Sequence, residues 1–370
     1  MLIITYYIMA SNDYTNLPDF DNLPPVPGMP KGCAWGLFDK DGKKDHLGTL
    51  NLLTPPVVQT ALKEAWEGVS VSLNWPINAI NKPGFSRKGL EHQLISFQDS
   101  PFKVQGFDDV VSFNTQCSSQ WDSLIHFAHQ PSGMSYNGIQ PTKEDLVNSH
   151  DPFNANRDIP TLNHWHEHGG LVGRGVLVDY RAYAEAHGIN YSPFETHKIT
   201  VEDLEAVAKW EGLEFKHGDI LIVRSGFTRG LQTSPEKQEE LLGTHRTVGV
   251  EGSEKTARWV WNRHFAAVAG DAIAFENLPP TNEDGSEGTI GGLGECLHVS
   301  LQNQFQWLIA LTVLHQYFLG LFGLNIGELW DLEKLSKLCS QKKRYSFLLT
   351  SCPLNVPGSV GSPPNAIAIF

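Results

Sequence analysis

Residues Gly218–Gly226 read GDILIVRSG, with four consecutive branched aliphatic residues, Ile220–Val223, set between Gly218-Asp219 and Arg224-Ser225-Gly226. A run this short and this rich in Ile and Val reads as a strand buried on both faces. Three other segments share the pattern: GVLVDY (Gly175–Tyr180), AAVAGDA (Ala266–Ala272) and RYSFLLTSCPL (Arg344–Leu354), each bounded by Gly, Asp or Pro. Helical stretches alternate with them. Thr200 precedes VEDLEAVAKWEGL, with Asp203 three residues on as the reciprocal partner of a capping box, and KTARWVWNRHF (Lys255–Phe265) follows later. Upstream, Thr54-Pro55 opens a helix that Gly68 closes, and VSVSLNW (Val69–Trp75) alternates as a strand does. Such alternation means an α/β or α+β domain, with α/β around a mixed β-sheet as the expectation. No repeat and no break in composition divides it, so one compact domain is expected.

The wider composition agrees. A chain of 370 residues, 41% of them hydrophobic, can bury a full core. Its net charge of -13, from 41 acidic against 28 basic residues, speaks against a nucleic acid or an anionic membrane as partner. The five cysteines (Cys33, Cys117, Cys296, Cys339, Cys352) are scattered and never form C-x-x-C, which points to a reducing, cytoplasmic setting. The opening MLIITYYIM lacks the basic region and the length of a signal peptide. Phe305–Leu324 is apolar over a membrane-spanning length, but Gln306, His315 and Gln316 within it favour a buried helix over a span. Residues 10–32, rich in Pro, Asn and Asp, read as irregular chain, so the expected division is an N-terminal arm over 1–32 and a folded domain over 33–370.

The densest set of groups able to bind metal or move protons is NTQCSSQWDSLIHFAHQ (Asn114–Gln130), where Gln116, Gln120, Asp122 and His126 follow at intervals of four, two and four. Oxygen and imidazole donors so spaced can converge on one ion. By itself D-x-x-x-H is a weak signal in a chain with 15 histidines, and a solvent-facing pair on a helix is the plainer reading.

The segment resembles the signature H-x-G-T-H-x-D-x-P-x-H of the cyclase superfamily of metal hydrolases, which includes kynurenine formamidases of tryptophan catabolism and isatin hydrolases. Gln116 and Gln120 stand at the first two His positions, Ser118-Ser119 at Gly-Thr, Leu124 at Pro, and Asp122 and His126 are identities. The likeness continues through WGLFD (Trp35–Asp39), HLGTLNLLTP (His46–Pro55), GRGVLVD (Gly173–Asp179), HGDILIVRSG (His217–Gly226), VAGDAIAFENLPP (Val268–Pro280), IGELWDLEKL (Ile326–Leu335) and NVPGSVGSPPNAIAI (Asn355–Ile369). It is similar to a Q-x-x-x-Q-W-D variant associated with fungi.

The resemblance implies the swivelling β/β/α fold of that family and hydrolysis of a small amide, lactam or formamide, of the arylformamidase or isatin hydrolase kind. It implies metal ligands at Gln116, Gln120, Asp122, His315 and Glu328, with His126 as general base, and a homo-oligomer. Amide oxygens in place of two imidazoles favour manganese over zinc or magnesium. The alternative is a catalytically silent relative retained as a binding or scaffold protein. Trp35, Phe38, Trp121 and Phe127 are candidates for an aromatic wall around a flat small-molecule substrate, though large aromatics are more often core.

The flank CLH (Cys296–His298) recurs as VLH (Val313–His315), and removing Val299–His315 would join ECLH to QYFLGLFG, the family's uninterrupted run. An insertion over 299–315 is therefore expected, with His298 taking the place of His315 if it is absent. Other features have plain readings: His164, His166 and His168 as surface histidines, Asn190-Tyr191-Ser192 as an unused glycosylation pattern, and GTIGGLGE (Gly288–Glu295) as a loop that meets no nucleotide-binding spacing. Asp271, after Gly270 at a strand end, is either functional or a local cap.

Overall fold

In the computed structural model, residues 14–148, 158–279 and 313–370 are described. His298, the Gly-rich stretch GTIGGLGE and residues 299–312 of the expected insertion lie outside them; Val313–His315 lie within.

The aliphatic runs become the centre of one sheet because a strand without polar alternation must be covered on both faces. Thirteen strands are present among the described residues: β1 Ser70–Ser72, β2 Glu91–Ser96, β3 Phe107–Ser112, β4 Gln120–Asp122, β5 Leu171–Val178, β6 Lys198–Ile199, β7 Ile220–Val223, β8 Gly249–Val250, β9 Ala267–Gly270, β10 Asn325–Glu328, β11 Ser346–Ser351, β12 Gly361–Ser362 and β13 Ile367–Ile369. Nine of them form a mixed sheet in the order β1-β13-β11-β5-β7-β9-β10-β4-β12. The four central strands β5, β7, β9 and β10 run parallel, and the flanking ones pair antiparallel. This is the single α/β domain with a mixed sheet that the sequence predicts.

Capping follows the sequence at Thr200, whereas the helix opened by Thr54-Pro55 ends at Ala61, short of Gly68, with no cap bond from the Thr54 side chain. The Thr200 hydroxyl accepts the Asp203 N–H and the Asp203 carboxylate accepts the Thr200 N–H, starting the helix Val201–Glu211, which Gly212 ends at φ 68°. The described part of the lead-in is irregular but anchored. Residues 14–32 carry only short turns, but Phe20 is fully buried, its N–H donates to Asn262 Oδ1 at 2.7 Å, and the Trp261 indole donates to the Pro18 carbonyl. An aromatic ring anchors irregular chain that composition alone marks as loose. Among the described residues no helix is long and apolar enough to cross a membrane.

Several plain readings are refined. His164–His168 form a short helix in which His164 is buried, its Nε2 on the Ile159 carbonyl, while His166 Nε2 meets the Pro353 carbonyl. They tie loops together. Asp271 accepts the Ser225 N–H and hydroxyl and the Gly226 N–H, so it is the cap of that turn. The hairpin β2–β3 stands apart, with all six residues of β3 and five of β2 exposed.

Candidate metal centre

The antiparallel pairing of β4 with β10 builds the site, because register places Gln120 directly opposite Glu328. Side chains alternate along a strand, so Asp122 shares the face of Gln120 and Trp121 points the other way. Gly361 of β12 pairs with Asp122, and a Cβ there would come 2.8 Å from Gln116 Cγ; its absence leaves the room that Gln116 fills. The Asn325 amide donates to the Asp122 carbonyl at 2.9 Å and fixes the strand end. Ser118 and Ser119, at the Gly-Thr positions, donate their hydroxyls to the Pro76 and Leu329 carbonyls and stitch the loop down.

His315 arrives from the turn Val313–His315, which continues as a π-type helix over Gln316–Phe322. Gly320 lets that helix approach the chain beyond His126, since a Cβ would lie 2.9 Å from the His129 nitrogen, and Gln316 Oε1 accepts the Gln130 N–H at 3.0 Å. Ligand atoms of Asp122, His315 and Glu328, all buried, thereby lie within 4.8 Å of one another. His315 Nε2 is 3.1 Å from Glu328 Oε1.

Two carboxylates so deeply buried and close need positive charge between them. Burial, with the Asp122 carboxylate adding to it, raises Glu328 to about 7. For His315, burial pulls the pKa down but is outweighed by hydrogen bonds to Glu276 and Glu328, which push it to about 10. Asp122 Oδ2 and Gln120 Oε1 are enclosed and have no protein hydrogen-bond partner. A hard divalent cation fits this donor set: two carboxylates, one imidazole and an orphaned oxygen on each of Asp122 and Gln120.

The two glutamines behave differently from the other three expected ligands. Gln116 Oε1 accepts from Arg87 at 3.3 Å, so its amide N–H turns to Asp122 Oδ1 and to the His126 ring, 3.0 Å from Nδ1. Gln120 gives its N–H to Glu328 Oε2 at 2.6 Å. An amide N–H cannot ligate an ion; the Gln116 oxygen is turned to Arg87, whereas Gln120 keeps its Oε1 without a protein partner at the site. His126 is half-buried beside them, and burial holds its imidazole below the ordinary value, with Asp122 pulling the other way.

The aromatic candidates separate. Phe127 stands edge-on to His315 with ring centroids 5.6 Å apart, at the site. Trp121 is a correction: it is fully buried, packed between Trp165 and Trp330, with its indole N–H on Ser351. Strand alternation turns it into the core. Phe38 is also core, against Tyr14, and the Trp35 indole is held by the Gly320 carbonyl. Two residues at the site went unnoticed in the sequence. Arg87, bound to Gln116, carries no local signal; Glu276, at His315, is a lone acid in the apolar run AIAFENL, the kind of residue that is buried only when paired.

The Cyclase family model matches residues 55–277, more than half of the chain. The chain belongs to the Cyclase family. A crystal structure described as a novel cyclase is 29% identical, with a TM-score of 0.71 over 91% of this chain and 99% of that one. Isatin hydrolase A from Ralstonia solanacearum shares the fold at 13% identity, with a TM-score of 0.52 over 85% of this chain and 97% of its own. No curated protein matches the sequence.

Proposed function

We propose that this cyclase-family protein is a metal-dependent hydrolase of a small amide, formamide or lactam, with a divalent ion held by Asp122, His315 and Glu328. The observation that carries the reading is the convergence of those three buried ligand groups beside His126, with Asp122 Oδ2 left unpartnered. When bound there, such an ion would lower the pKa of water and polarise a carbonyl oxygen. Oxygen-dominated donors favour manganese over zinc.

The chain's own residues supply the rest. His126, whose imidazole burial disfavours in its charged form, can act as the proton acceptor and return the proton to a leaving nitrogen. Gln116, pinned by Arg87, orients that ring, and Phe127 offers an apolar edge beside His315. The deciding experiment strips the protein with a chelator and assays N-formyl aryl amines, isatin-like lactams and aryl lactones with and without added manganese. Turnover that requires manganese supports the reading. Protein that binds the ion tightly yet turns over none of these supports the binding or scaffold alternative.

A further inference from the structure

We propose that Glu276 is the positioning carboxylate of this centre, locking His315 so that only Nε2 is presented to a divalent ion. The inference rests on the metal reading above and adds to it a residue outside the ligand set.

Glu276 is completely buried. A buried carboxylate must be fully partnered, and the partners of this one are two consecutive residues. Oε1 lies 2.8 Å from His315 Nδ1 and accepts the His315 backbone N–H at 3.1 Å, while Oε2 accepts the Leu314 N–H at 2.9 Å. One carboxylate thus grips both the backbone and the ring of His315, fixing where the side chain starts and how its ring is turned. Since Nδ1 is committed to Glu276, the opposite nitrogen, Nε2, is the one 3.1 Å from Glu328 Oε1. Glu276 is not among the groups whose ligand atoms converge with Asp122, so its place is behind the ligand, not beside it.

The surrounding chain makes space for this carboxylate. A Cβ on Gly252 would lie 2.8 Å from Glu276 Oε2, and one on Gly249 would lie 2.3 Å from the Glu276 backbone. Both glycines flank the bridge that seats Glu276 against Val250. A carboxylate hydrogen-bonded behind a ligating imidazole fixes its tautomer and orientation, and its loss typically weakens metal affinity 10–100-fold.

The test measures ion binding independently of turnover. Manganese titration of the stripped full chain by calorimetry should give a dissociation constant about 10–100-fold weaker for Glu276→Gln than for wild type, with Glu276→Asp recovering part of the loss. Equal affinity in a folded Glu276→Gln protein overturns the inference while the metal reading stands. If the wild-type chain itself takes up no manganese, the metal reading falls and the inference with it. Should Glu276→Gln fail to fold, the wild-type protein decides: in 15N-histidine-labelled chain loaded with 113Cd, coupling to His315 Nε2 with Nδ1 still protonated supports the inference. Coupling to Nδ1 overturns it.

Discussion

The side-chain amide of Gln120 donates to Oε2 of Glu328 at 2.6 Å across the β4–β10 pairing, joining residues 208 positions apart. With Gln116 donating likewise to Asp122, both signature glutamines present N–H groups to carboxylates that an ion would also use. Replacing both by His exchanges weak amides for imidazoles, which suit zinc. Gln116→His with Gln120→His should therefore raise affinity for zinc relative to manganese by at least tenfold in competitive titration. An unchanged preference would mean that neither side chain faces the ion.

His126 is assigned proton transfer, and Asp122 ligation. His126→Ala should lower kcat by about 10²–10⁴-fold, the usual worth of a positioned general base, while manganese affinity stays within a few-fold. Asp122→Ala should abolish ion binding. If both variants lose the ion equally in calorimetry, His126 is a ligand and its role here is wrong.

Trp121 and Phe127 should separate cleanly. Trp121→Ala, in the core between Trp165 and Trp330, should cost about 3–5 kcal/mol in denaturant unfolding. Phe127→Ala, at the half-buried edge near His315, should raise KM while leaving the unfolding midpoint close to wild type. Equal destabilisation by the two would place Phe127 in the core as well.

Burial pushes the Glu211 carboxyl up to about 9 from an ordinary value near 4.5, although the Asp179 N–H it accepts pulls back. The folded state thus holds this proton more tightly than the unfolded chain, so the group's contribution to stability is complete below about 4.5 and is lost as pH rises to about 9. Glu211→Gln cannot ionise and keeps the oxygen that Asp179 needs. The Tm advantage of the variant should widen between pH 5 and pH 9; a gap independent of pH would show that Glu211 ionises freely.

The hairpin β2–β3 exposes Leu94, Val110 and Phe107 over strands that nothing else among the described sheets pairs with. A two-stranded ribbon is marginal alone in water, and its base leads directly into Gln116 through the Asn114 N–H on the Lys88 carbonyl. A second copy of the chain is the proposed cover. Light scattering should find a homo-oligomer whose mass falls in a Leu94→Lys, Phe107→Lys protein. A monomeric wild type would remove the proposal.

The strands around GDILIVRSG, the capping box at Thr200, and Asp122 with His126 were legible because each depends on neighbours close in the chain: branched aliphatics in a row, a hydroxyl three residues from a carboxylate, a motif within eleven positions. Strand alternation across Gln120-Trp121-Asp122 was equally local, yet it reads only once β4 is known to be a strand, and three residues are too few to declare it. Local sequence therefore leaves Trp121 a candidate for the substrate wall as well as for the core, and the fold puts it in the core. The amide orientation of Gln116 depends on Arg87, 29 positions away, and the setting of His315 on Glu276, 39 positions away. Sequence supplied the chemical types for one candidate metal centre. Which atoms are free to face an ion was decided by hydrogen bonds between distant segments, since a side chain's donors and acceptors take their direction from partners that only folding brings within reach.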